Sequence, residues 1–151
     1  MRRTRSRTSL GIFRYTFVLV SAFLLLALPS QATSVARKKH LALEQYHKAL
    51  DLREALDNKS ADERTSDDYE RVIEAFRKVY HVAPTSTRAD ASALAVGELL
   101  ADQARLDNDE KGFKSAIGQY EFLCREYPGS KYRFRALLNS AEIYREHLGD
   151  G

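Results

Sequence analysis

Glycine and proline are scarce in this chain, seven and three in 151 residues. A β-sandwich of that length needs more turn-formers, so the shortage points to helices. Cysteine is scarcer still. Cys124 stands alone, which excludes an intrachain disulfide; a lone thiol packs as a small hydrophobe and is expected in the interior. Long apolar runs are also missing, apart from the twelve residues Phe17–Leu28. That run falls short of the roughly 20 residues that span a bilayer, and no cysteine follows it to accept a lipid. Catalytic signatures are absent as well. There is no HExxH, GxSxG, P-loop or GxGxxG, so acyl transfer and nucleotide chemistry have no support. His40, His47, His81 and His147 do not compose the three-ligand set of a catalytic zinc. His40 and His47, seven apart, read as a solvated helical face. No metal and no cofactor is expected.

Basic charge is lacking where a nucleic-acid binder needs it. The chain carries 24 Lys and Arg against 21 Asp and Glu, but Arg2, Arg3, Arg5, Arg7 and Arg14 all lie before position 33. Without those five, 19 basic residues face 21 acidic ones, a net of −2. Phosphate binding requires a basic patch on the fold itself, so no nucleic-acid partner is expected.

What is present begins with a leader. Residues 1–32 fit a secretory signal peptide: an Arg-rich start, the apolar run, Pro29, then small residues. Ser30-Gln31-Ala32 offers a cleavage site after Ala32, and Ser34-Val35-Ala36 offers another after Ala36. The alternative is an uncleaved anchor, so membrane contact is expected only through this segment. Either reading places residues 33–151 outside the cytoplasm, in the periplasm or cell envelope.

The remainder matches itself when shifted by 44 residues. Ala49, Leu50, Leu52, Glu54 and Leu56 fall on Ala93, Leu94, Val96, Glu98 and Leu100, and then on Leu137, Leu138, Glu142 and Tyr144. Tyr69, Val72, Ile73, Phe76, Val79, Pro84 and Ser86 fall on Phe113, Ala116, Ile117, Tyr120, Leu123, Pro128 and Ser130. Spacings of four and three place Val72, Phe76 and Val79 on one helical face, and Ala116, Tyr120 and Leu123 on another. The fold class is therefore all-α: antiparallel helix-hairpin repeats with about five helices, near 36–57, 67–82, 87–105, 110–126 and 131–147. Thr65-x-x-Asp68 and Thr87-x-x-Asp90 read as capping boxes. Asp107-Asn108-Asp109 supplies cap oxygens for the next start. Pro84 and Pro128 stop the helices before them. The polar connector Asn58–Ser66 is the expected mobile loop.

These residues resemble the tetratricopeptide repeat. Val72, Phe76, Val79 and Pro84, and again Ala116, Tyr120, Leu123 and Pro128, match the spacing of its second helix. Val96-Gly97-x-x-Leu100 matches its first helix, while Arg53 and Ala141 replace the Gly in the other copies. The period is longer than the roughly 34 residues typical of that repeat. The stretches Tyr69–Leu106 and Ser115–Leu137 also look like the helical N-terminal region of bacterial N-acetylmuramoyl-L-alanine amidases. In that family a catalytic zinc domain follows the helices. The resemblance implies a cell-wall setting and a non-catalytic helical arm, or a stand-alone periplasmic scaffold. It carries no catalytic residue, because none of the matching positions is catalytic.

Tetratricopeptide arrays bind partners in a groove lined by first helices, which makes Tyr46, Glu54, Glu98, Arg135, Asn139, Glu142 and Arg145 the groove candidates. If the period sets Glu54, Glu98 and Glu142 in one column on the groove, it favours a basic partner; otherwise they are ordinary helix formers on a wet face. Lys131–Arg135, basic and aromatic, is the candidate contact for anionic wall polymer such as peptidoglycan, or else Tyr132 and Phe134 pack inward. The last helix has no partner after it. Its apolar residues Leu137, Leu138, Ala141 and Tyr144 are expected to be open to a further repeat, a subunit or another protein of the envelope.

Overall fold

The computed structural model describes residues 29–149. Most of the expected leader lies outside them, as does the apolar run. The chain divides into two compact units, residues 1–37 and 38–151; the architecture that follows is that of the second.

Five α-helices occupy the described residues, and no strand occurs among them. They are α1 (Pro29–Asp57), α2 (Ser66–Val82), α3 (Ala89–Asp107), α4 (Glu110–Glu126) and α5 (Arg133–Ile143). A π-helical turn, Tyr144–Leu148, extends α5. Helix α1 is already helical at Pro29, the first described residue, ahead of the expected start near 36. Nothing from Gln31 to Lys39 breaks a helix. Both small-x-small sites therefore lie within α1.

Helix α2 starts at a reciprocal cap. The Asp68 amide donates to the Thr65 hydroxyl at 3.3 Å, and the Thr65 amide donates to the Asp68 carboxylate at 3.1 Å. Lys59 adds an ion pair at 2.7 Å. Hydrogen bonds from Lys59 and Thr65 together hold the Asp68 carboxyl down at about 2. These contacts span the connector Asn58–Ser66. It contains a 3-10 turn, Ala61–Glu63, and Arg64 donates to the carbonyls of Lys59 and Asp57.

The second expected capping box does not form. Arg88, not Thr87, holds the cap position of α3 and makes no side-chain cap bond. Asp90 instead accepts from the Ser130 hydroxyl at 2.7 Å, tying the start of α3 to the α4–α5 connection. Its other oxygen accepts from the Ala91 amide at 2.8 Å, so one carboxylate serves its own helix and a distant segment at once. The matching Ser86 hydroxyl is buried without a partner. Forty-four residues before Asp90 stands Tyr46, which offers no carboxylate there.

Asp109 caps α4 through the amides of Lys111 and Gly112. Asn108 takes a left-handed φ of 49°, which lets α3 end and α4 begin within two residues. So short a connection forces the two helices antiparallel.

Helix α3 is buried on most sides and is the centre of the structure, in contact with α2, α4 and α5. Tyr69, Val72, Ile73 and Phe76 of α2 and Phe113, Ala116, Ile117, Tyr120 and Leu123 of α4 share one core with it, joined by Ala49 and Leu56 of α1. Positions 44 apart on α2 and α4 are thus buried alike. The buried residues of α5 are Ala136 and Ile143.

Candidate functional site

Two adjoining clefts lie among α1, α3 and α5. The larger, of about 210 Å³, is walled by Arg53, Glu98, Asp102, Arg105, Arg135, Asn139 and Glu142, over a floor of Ala101, Tyr120 and Ile143. The smaller shares Arg53 and Glu98 and continues over Tyr46, Leu50, Phe76, Leu94 and Tyr132.

Glu98 is the hub. Arg53 donates to its Oε2 at 3.3 Å, and Arg135 Nη2 lies 2.7 Å from Oε1 but out of line for a hydrogen bond. Three helices meet on this one carboxylate. Asp102 pairs with Arg105 at 2.8 Å, and burial pushes its carboxyl above the ordinary range against the pull of that arginine. Below them Asn139 donates to the Tyr120 hydroxyl at 3.1 Å. Burial raises that phenol to about 12.

Of the groove candidates, Tyr46, Glu98, Arg135, Asn139 and Glu142 therefore line the two clefts. Glu54 and Arg145 do not. On α1 the cleft face is Tyr46, Leu50 and Arg53, spaced by four and three. Glu54 stands roughly 100° further round and is exposed. Arg145 sits on the π-helical turn and pairs with Glu146 at 2.6 Å. The expected column of three glutamates is thus broken. The larger cleft balances Arg53, Arg105 and Arg135 against Glu98, Asp102 and Glu142. Such a wall does not select a basic partner by charge. Arg53, Asp102 and Arg105 were missed because charge was read down the 44-residue column, whereas the cleft follows each helix's own face.

On α5 the open face is continuous. Phe134 is 78% exposed, Leu137 58%, Leu138 48% and Tyr144 40%, and Ala141 is exposed among them. Phe134 does not pack against α4, while Tyr132 is half-buried against the core. Cys124 is half-buried, its sulfur 3.9 Å from the Arg133 carbonyl oxygen.

Among the described residues no cluster of His, Cys, Asp or Glu is placed to hold a metal ion. None of the described helices is long and apolar enough to cross a membrane. His147 stacks on Phe113, rings 4.0 Å apart, and His40 lies 3.5 Å from Glu44. Comparison with protein-family models, with curated proteins and with solved structures finds no match.

Proposed function

We propose that this chain is an exported, tetratricopeptide-like interaction module of the cell envelope, acting as the non-catalytic helical arm of a peptidoglycan N-acetylmuramoyl-L-alanine amidase. Its work is to hold a protein partner or the amidase domain itself, in a setting where peptidoglycan is at hand. The repeat reading is supported by the equal burial of α2 and α4 residues 44 apart: Phe76 and Tyr120 are 1% and 2% exposed, and Val79 and Leu123 both 0%. The observation that carries the functional reading is the open apolar face of α5. Monomeric proteins rarely leave such a stripe contiguous unless something docks there.

Two results test it. The reading frame beyond codon 151 encodes a zinc amidase domain in phase, or one frameshift away. The isolated chain releases no stem peptides from purified peptidoglycan; release would end the non-catalytic assignment.

A second reading, a stand-alone periplasmic adaptor, is favoured by the clefts. Residues of α1, α3 and α5 line them, and a partner segment could lie there. A true stop followed by an unrelated gene selects this reading.

A further inference from the structure

The open face of α5 has a covered counterpart inside the same molecule. On α3, the residues that receive α4 are Ala93, Gly97, Leu100 and Ala104. The Ala93 carbonyl accepts from Gln119 at 3.3 Å. A methyl built on Gly97 would meet the Tyr120 ring at 2.4 Å, and one on Gly112 would meet Ala104 at 2.8 Å. Leu100 shares a surface depression with Gly112 and Ser115. Forty-four residues on stand Leu137, Ala141, Tyr144 and Leu148. The first three are exposed. The fourth is carried inward by the π-helical turn and packs on the core. The stripe on α5 therefore matches the face by which α3 takes a helix.

Charge separates the last helix from the rest of the chain. Residues 131–147 hold Lys131, Arg133, Arg135 and Arg145 against Glu142 and Glu146, a net of +2. Residues 33–130 hold 15 basic and 18 acidic, a net of −3. The basic excess sits at the start of α5, where Lys131 and Arg133 are exposed, while Arg135 turns to the cleft and pairs with Glu98. Helix α4 runs antiparallel to α3, so its C-terminal half lies over the α3 N-terminal half. A helix seated likewise on α5 brings its C-terminal end to the basic cluster.

We infer that α5 receives an amphipathic helix of a partner protein, anchored by an aromatic side chain over Ala141 and carrying acidic residues toward its C-terminal end. This rests on the reading of positions 44 apart as equivalent. Ala141 bears the methyl that Gly97 lacks, so the incoming helix stands further off than α4 does from α3. Recognition of this kind depends on anchors at helical spacing, which here meet Leu137, Ala141 and Tyr144.

Helix α4 supplies the probe. Labelled peptides of the Glu110–Glu126 sequence, with Cys124→Ser throughout, are titrated with the full chain and followed by fluorescence anisotropy. The Arg125→Glu peptide is expected to bind saturably and several-fold more tightly than the parent at low salt, with the difference shrinking as salt rises. Adding Tyr120→Ala to the peptide, or Leu137→Glu to the protein, is expected to weaken binding about tenfold or more, as loss of an anchor does. Leu137 is exposed, and circular dichroism of that variant should match the parent. No saturable binding, indifference to Leu137→Glu, or weaker binding of the Arg125→Glu peptide would overturn the inference. So would sedimentation of the chain alone as a dimer that Leu137→Glu separates, because a second copy would then own the face. Photo-crosslinking residues placed at Leu137 and at Glu142 in the exported chain separate this from the broader reading. A partner trapped only at Glu142 removes the helix on α5 and leaves an interaction module. Trapping at neither removes the module.

Discussion

Gly97 and Tyr120 show how tightly neighbouring helices are set. The ring of Tyr120 occupies the space a side chain at 97 would need, 2.4 Å from an added methyl. Tyr120 is 2% exposed, so its ring has nowhere to retreat. Gly97→Ala should cost about 1–3 kcal/mol by overpacking, read as a fall in the urea midpoint at unchanged slope. The phenol of the same tyrosine makes a second prediction. Burial raises it from the ordinary value near 10 to about 12. Between those values the folded chain keeps a proton that the unfolded chain gives up. The stability due to Tyr120 is complete below pH about 10 and is lost as pH rises through about 12. Denaturation curves across that window should steepen their decline with pH, and Tyr120→Phe should remove this part of it.

Two threonines with the same local pattern meet different ends, and the helices show why. Thr65 and Asp68 close a cap on α2. Thr87 does not cap α3; Arg88 stands at the cap position, and Asp90 accepts from Ser130 and from the Ala91 amide. Thr65→Ala should therefore cost about 1 kcal/mol, while Thr87→Ala, at an exposed site outside any cap, should stay within about 0.5 kcal/mol of the parent. Equal losses in chemical denaturation would contradict the assignment. The helices themselves were legible. Val72, Phe76 and Val79 announce α2 by spacing alone, and α4 begins and ends where Asp109 and Pro128 imply. That α1 already includes residues 29–35 was not legible, since small residues after Pro29 suit a processing site as well as a helix.

Across the molecule, the two sides of α5 should respond in opposite ways. Ile143 is 1% exposed and Leu137 58%. Ile143→Ala should cost about 2–5 kcal/mol, whereas Leu137→Glu should leave the melting temperature nearly unchanged. If Leu137→Glu unfolds the chain, the face is part of the fold and not a surface for a partner. The clefts carry a related lesson. Glu98 joins α1, α3 and α5 through Arg53 and Arg135, yet the sequence reading counted Glu98 as one of three equal acids. Periodicity says which residues occupy equivalent places along the chain. It does not say how far each helix is rolled about its axis, and a roll of one position moves Glu54 from cleft to solvent.

Composition and spacing were enough to settle the all-helical class, most helix limits and the core residues of α2 and α4. Those follow from local rules: a 3.6-residue turn, cap chemistry and the proline stop. The Thr65–Asp68 cap was legible too, but the distant partners of polar side chains were settled by packing. Asp90 accepts from Ser130 across the fold as well as from the Ala91 amide of its own helix, and Glu98 gathered arginines from two other helices, because carboxylates are claimed by whichever donor the folded chain brings within reach.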